Sequence, residues 1–591
     1  MKNFLSLITF VIISINVVFA VPARPVAFNV LQKNGTEISV RLNGDEYFHF
    51  KTTEDGILIT ENSNGIFEYA KMNEKGEITA TGILAKNKEF RPKNEISFIN
   101  TLNNNVGEIS ARIRQERAET KKSNAPAAIV GEKGIAILVN FSDKAFVTPN
   151  ANISFTNLLN QTGYSANNAI GSARDYFIAC SNSAFKPNFD VYGTYTLPQT
   201  LNYYGQNDSQ GYDMNAGQMV IDACNLAYAA GVNFSQYDTN GDGYVDNVFI
   251  FYAGYGEASG GAPANTIWPH RSQIYPLQVG SVKVRDYACG SELKGFAGST
   301  MDGIGTFCHE FSHVLGLPDL YNTSGIYESN LDNWDIMDGG CYNGPGQGGD
   351  IPAMYSAYEM FYVGWLVPEI LSNCGNYSLS PLEGSTKKAY IVTQNNTHNL
   401  NGQNPNPTLF YMLENRQKTS FDSYLPGSGL LITRINYNSS KWYYNTVNNS
   451  TPKGVAIMKA GTSPSGTNWA FPYASINSFT FTSINGASWG KQVAQIQKSG
   501  QNINFYFDCA TGVSEIKDNE FEIINSSSNW YISMNYGNYL MEIYSMNGML
   551  LKTFNFTNEI SIAKSDFTNG VYLLKINDLN NNKFYFSKAI K

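Results

Sequence analysis

The stretch "GTFCHEFSHVLGLPDLY" runs from Gly305 to Tyr321 and holds two of the chain's five histidines. His309 and His313 stand four apart, a spacing that puts both side chains on one face of an α-helix. Two imidazoles so placed can grip one metal ion, zinc above all, through one ring nitrogen each. Zinc lowers the pKa of a bound water towards about 7, and Glu310, beside the first histidine, is placed to take that water's proton. Gly316 and Pro318 follow. Glycine can leave a helix with positive φ and proline cannot continue one, so the helix is expected to end here and the chain to double back. The next residue able to bind a metal is Asp319, and carboxylate oxygen binds zinc at about 2.0–2.2 Å. The pattern H-E-x-x-H-x-x-G-x-x-D therefore predicts a zinc shell of His309, His313 and Asp319, with a fourth position open to water and substrate.

In the related metzincin pattern a third histidine fills the last position, and a methionine-bearing turn lies downstream. Met337, within "NWDIMDGGCYNG" (Asn333–Gly344), stands where such a turn is expected. Tyr342, shortly after it, is a candidate donor to a developing oxyanion. A second metal-like pattern precedes the helix. "YDTNGDGYVDN" places Asp238, Asn240, Asp242 and Asp246 at alternating positions around Gly243. Oxygen side chains in that order, with the Tyr244 carbonyl, suit Ca²⁺, which takes six to eight oxygens. Phe249 stands where an EF-hand would carry its bidentate glutamate, so a structural calcium loop inside an α/β setting is expected, not an EF-hand pair.

The 591 residues imply two to four domains. A net charge of −8 without a strongly basic block argues against nucleic acid as the main partner. "MKNFLSLITFVIISINVVFA" (1–20) reads as a secretory signal peptide, and no later stretch is long and apolar enough to span a bilayer. Seven sparse cysteines, with no C-x-x-C pair, do not build a disulfide scaffold.

Composition then divides the chain. Residues 21–125 form a β-rich unit of alternating strands such as "TEISVRLNG", ending in the charged, basic stretch Glu108–Ala128, which reads as a helix fraying into a cleavable linker. Residues 126–375 alternate helix and strand, from the buried strand in "KGIAILVNFSD" onward, and are read as the α/β catalytic domain. Residues 376–511 read as an all-β module, a sandwich, and 512–591 as a further small β-sandwich.

The blocks "HEFSHVLGLPDLY", "SARDYF", "FDVYG", "YDTNGDGYVDN", "FYAGYGEA", "IWPH", "YVGWL" and "MLENRQ" resemble those of the immune inhibitor A family of secreted zinc metalloproteases, and "LNGDEYFHF" is similar to its propeptide. The resemblance implies a metzincin-like protease made as a zymogen, with His309, His313 and Asp319 on zinc and Glu310 as base. One departure is "LLITRINY": where the family often has His-x-Asp, this chain has Arg434 and Asn436. The tail, with "IYSMNGMLLKT", "NGVYLLKI" and "KAIK", resembles the C-terminal sorting domain of the type IX secretion system of Bacteroidetes. That implies a secreted or cell-surface bacterial protein whose partners are protein substrates and the secretion machinery.

The expected activity is endopeptidase cleavage by a zinc-bound water that Glu310 activates. The rival is a secreted adhesion protein whose zinc domain is vestigial. No cysteine precedes Cys180, so a propeptide thiol cannot provide latency; a carboxylate or steric blocking remains. His49 and His270 are read as packed or hydrogen-bonded histidines rather than ligands.

Overall fold

The computed structural model of the chain describes residues 19–113, 132–509 and 521–591, apart from 25, 47, 103–104, 111, 209–210, 262–264, 325–329, 527 and 581–582. The expected leader therefore lies outside the described residues except for Phe19–Ala20, as does most of the basic linker. The chain divides into two compact units: one runs to Phe507 apart from 480–482 and 488–492, and the other holds those pieces and Asp508–Lys591.

The first unit is built on a six-stranded sheet. Strand Val248–Tyr255 lies between Val282–Leu293 and Lys133–Asn140, parallel to both, and Asn188–Thr196 continues the parallel set. His270–Val279 runs antiparallel to Val282–Leu293, on the other side of the sheet. Buried on both faces, the inner strands read as unbroken apolar runs. The pleat sorts them. Ile135, Ile137, Val139, Val248, Ile250 and Tyr252 pack on Met219, Val220, Ala223 and Ala227 of helix Ala216–Ala229. Ala136, Leu138, Phe249 and Phe251 face the opposite layer, where helix Ile304–Val314 lies.

That layer's core does not stop at residue 375. The same cluster that holds Phe307, Phe311 and Met337 includes Phe410, Met412, Leu431 and Ile435. These belong to strands Leu409–Arg416 and Gly429–Asn436, the middle of a five-stranded sheet. Arg416, fully buried, pairs with Asp422 at 2.7 Å and donates to the carbonyls of Met354 and Trp334. A guanidinium out of water needs such partners, and here they tie the β strands to the loop ahead of Met337.

The N-terminal part is a six-stranded antiparallel meander over Phe28–Leu84. Its alternation makes two apolar faces: Ile38, Val40, Ile59, Phe67 and Tyr69 with Ile99 on one, Phe48, Phe50, Leu58 and Met72 with Ile109 and Ile113 on the other. In the second unit the long strand Asn529–Ser545 pairs with Leu550–Ala563 along one edge and with Phe521–Asn525 and Val571–Asp578 along the other. Trp530, Ile532, Met541, Ile543, Leu574 and Ile576 form its core.

Candidate metal centre and cleft

Helix Ile304–Val314 is buried on all sides. Phe307 and Phe311 share one face and pack edge-on against Phe189, while Phe307 also meets Phe249. His309 and His313, two residues on from each, are turned roughly 200° away, as a 3.6-residue period requires. The helix start is pressed close to the turn Gly339–Tyr342: a Cβ on Gly305 would stand 1.9 Å from the Cys341 carbonyl oxygen.

The helix ends as expected. Gly316 has φ 96°, its N–H bonds to the His313 carbonyl at 3.0 Å, and the Leu317 N–H reaches the Ser312 carbonyl at 3.1 Å. This is the Schellman arrangement that glycine favours, and it aims the Leu317 carbonyl at His313 Nδ1, 2.7 Å away. His309 Nδ1 likewise meets the Ile336 carbonyl at 2.7 Å. A ring nitrogen facing a carbonyl must carry the hydrogen, so both Nε2 lone pairs point inward. They lie 3.2 Å apart, and Asp319 Oδ1 lies 3.2 Å from one and 3.3 Å from the other.

Asp319 Oδ1 is fully buried and accepts no hydrogen bond. A buried carboxylate oxygen without a donor is costly. Two neutral imidazoles and one carboxylate sum to a single negative charge, and their three donor atoms lie within 4.8 Å of one another. The set suits one divalent cation of zinc's ligand preference.

Glu310 is fully buried, and burial pushes its pKa well up with His309 opposing. Its Oε2 has no hydrogen-bond partner, while Oε1 accepts the Val21 N–H at 2.7 Å. The start of the described chain thus passes over Glu310 between Trp268 and Tyr342, a passage termed the cleft. Phe19 and Ala20 pair antiparallel with Arg271 and His270 on the sheet's edge. Trp268 Nε1 donates to the Val21 carbonyl at 3.0 Å and Tyr342 Oη to the Pro22 carbonyl at 2.7 Å. The Arg24 N–H reaches the Ala258 carbonyl at 2.9 Å and its guanidinium the Gly346 carbonyl at 2.6 Å.

The other candidates fall as follows. Met337 is fully buried, and its carbonyl accepts the Leu320 N–H at 2.8 Å, linking the methionine turn to the strap after Asp319. Tyr342 faces the cleft with its hydroxyl on a main-chain carbonyl. His49 stacks on Trp268 with ring centroids 4.9 Å apart and pairs with Glu257 at 3.3 Å, away from the ligand set. His270 bonds the Trp268 carbonyl and Tyr287, a structural role. In the loop of Asp238, Asn240, Asp242, Tyr244 and Asp246, side-chain oxygens of the first three accept the loop's own N–H groups. Among the described residues, His309, His313 and Asp319 are the one group of three or more histidine, cysteine or acidic side chains spaced to hold a metal. Arg434 and Asn436 lie on strand Gly429–Asn436. The pattern did not single out Asn445, which bonds Asp319 twice. Cys374 is in a disulfide, and Cys180, Cys224, Cys289, Cys308 and Cys341 are buried free thiols.

Among the described residues no helix is long and apolar enough to cross a membrane. Residues 128–366 match the family model described as immune inhibitor A peptidase M6, catalytic domain, and residues 526–591 match the secretion system C-terminal sorting domain. Over 242 residues the chain is 29% identical to the pre-pro-metalloprotease PrtV of Vibrio cholerae, covering 37% of this chain and 24% of that protein. Over 201 residues it is 28% identical to immune inhibitor A of Bacillus thuringiensis subsp. alesti, covering 30% of this chain and 29% of that one. The chain thus matches 24% and 29% of the length of these relatives. With the ligand geometry and both matches in hand, the chain carries an immune inhibitor A peptidase M6 catalytic domain together with a secretion-system sorting domain.

Proposed function

We propose that the protein is a secreted, zinc-dependent endopeptidase of metzincin-like fold, made as a zymogen, that hydrolyses peptide bonds of extracellular proteins. The observation that carries the reading is a peptide nitrogen, Val21 N, held 2.7 Å from Glu310 Oε1 beside three converging ligand atoms. His309, His313 and Asp319 hold the zinc, which when bound supplies a Lewis acid and makes water acidic enough to attack at neutral pH. Glu310 carries the protons. Its partnerless Oε2 takes one from the attacking water, and the place now filled by Val21 N is where the leaving nitrogen of a substrate receives it. A carboxyl raised by burial is a readier proton acceptor than an exposed one. Trp268 and Tyr342 grip main-chain carbonyls, and strand His270–Val279 takes an extended substrate in antiparallel pairing.

The same contacts explain latency. Residues 21–125 form the propeptide, and Val21–Arg24 fill the cleft in place of substrate. Leader removal after Ala20, the expected cut, leaves the Val21 nitrogen as a free amine facing Glu310. Cleavage in the basic linker then releases the domain of 126–375 with its β module, 376–511. The loop Asp238–Asp246 takes calcium in a structural role, and 512–591 address the chain to the type IX machinery of a Bacteroidetes-like bacterium.

The test is casein or gelatin cleavage by the activated protein, with and without chelator. Cleavage should cease with chelator, return with zinc and be absent in Glu310→Ala. Activity that survives Glu310→Ala overturns the mechanism, and zinc binding without any cleavage favours an adhesion protein.

A further inference from the structure

We propose that Asn445, which lies beyond the peptidase match at 128–366, is a positioning residue of the metal centre whose side-chain amide fixes Asp319 as the third ligand. The inference rests on His309, His313 and Asp319 being the ligands.

Asn445 meets Asp319 with both ends of its amide. Its Oδ1 accepts the Asp319 N–H at 2.7 Å, and its Nδ2 donates to Asp319 Oδ2 at 2.5 Å. The orientation is unambiguous, because a backbone N–H only donates and a carboxylate only accepts. A free carboxylate turns about its terminal bond and presents either oxygen. Here one oxygen is taken by the amide, and the other is left facing the two imidazoles without a donor. Outer-shell partners of this kind orient a ligand and set its basicity.

The fold holds Asn445 for this purpose. It is 6% exposed, and its backbone is left-handed at φ 54°, a conformation that asparagine tolerates better than most residues. Thr323 Oγ1 donates to the Asn445 carbonyl at 2.8 Å, and Asn448 Nδ2 to the Leu320 carbonyl at 2.6 Å. Asn449 Oδ1 accepts the Thr323 N–H at 2.9 Å. The strap from Asp319 to Thr323 is thus stitched to a loop of the β module. That module is part of the metal centre, not an appendage to it.

The experiment measures zinc affinity of the full chain by competition with a chromophoric chelator, and the visible spectrum of the cobalt-substituted protein. Asn445→Gly is the main variant, since glycine keeps the left-handed backbone and deletes only the amide. Its zinc affinity should fall about 10–100-fold and its cobalt bands should shift; the metal-free protein should also melt somewhat lower, because Asp319 N–H and Oδ2 lose their partner, and the shifted bands are the readout that a loss of stability alone does not move. Ser450→Ala, which removes the loop's hydrogen bond from Lys441 without touching Asn445, Thr323 or Asp319, should leave zinc affinity and cobalt bands unchanged. Wild-type affinity and spectrum in Asn445→Gly, with zinc lost in Asp319→Ala, would overturn the proposal and leave the ligand set standing. Wild-type affinity in Asp319→Ala would overturn both. If Asn445→Gly does not fold, Asn445→Asp decides: it keeps the acceptor for Asp319 N–H but sets a carboxylate against Oδ2, and unchanged zinc affinity there overturns the proposal.

Discussion

Replacing Val21 by glycine should make the uncut chain active. Val21 is 1% exposed in the cleft. Burying a valine side chain contributes about 1.5–3 kcal/mol, and a tenfold change corresponds to about 1.4 kcal/mol. Removing the isopropyl group therefore weakens cleft occupancy about 10–100-fold. The main-chain bonds to Glu310 and Trp268 survive the change, so the effect belongs to the side chain. Glycine also gives the free segment more conformations to lose, which acts in the same direction. The assay is the initial rate on an internally quenched peptide by zinc-loaded full-length chain, with gel analysis showing that the linker is intact. The uncut variant should exceed uncut wild type by tenfold or more. After the prosegment is cut away and removed, the two should have equal kcat/KM. Equal rates for the two uncut proteins would refute the reasoning, and unequal rates for the two mature enzymes would show that Val21 acts elsewhere.

Two further outcomes follow from the same geometry. Asp302 accepts the Gly303 N–H and the Thr306 hydroxyl at the start of helix Ile304–Val314, and burial pushes its pKa up to about 7, with Lys294 opposing. The folded state then holds a proton that the unfolded chain has lost, so this group's stabilisation fades as pH rises from about 4 through 7. Asp302→Asn should flatten the fall in melting temperature between pH 5 and pH 8, and an unchanged slope would contradict the assignment. Gly305→Ala puts a methyl 1.9 Å from the Cys341 carbonyl oxygen, far inside contact distance. Overpacking of this kind costs about 1–3 kcal/mol or more, so calorimetry should show a lower melting temperature, and zinc affinity should fall as the helix shifts from the turn beneath it.

What could be read from the amino acids alone was what local geometry dictates. Helical periodicity sets the distance between His309 and His313, and the Gly316–Pro318 pair sets the reversal that brings Asp319 back, so the convergence of these three side chains was legible within one short stretch. The buried strands were legible for a similar reason, because a parallel sheet covered on both faces leaves an unbroken apolar run. Contacts across long separations left no comparable trace. Asn445 stands 126 residues from Asp319, inside "YYNTVNNS", where asparagines read as an ordinary loop. Val21 stands 289 residues from Glu310, and nothing in "VPAR" announces a segment that lies in a cleft. The β module was legible as strands, but not as part of the same core as the ligand helix, because that depends on which apolar faces meet.

The most direct test of the central claim is X-ray absorption spectroscopy of the zinc-loaded full chain. Nitrogen and oxygen ligands lie about 2.0–2.2 Å from zinc, and a thiolate lies near 2.3 Å. Cys341 interacts with His309, so the absence of a sulfur shell is a discriminating result. Coordination by His309, His313 and Asp319 predicts two imidazole signatures, a first shell of light atoms only and no sulfur, with the shell lost in Asp319→Ala. A sulfur shell, or an unchanged spectrum in Asp319→Ala, would contradict the ligand set.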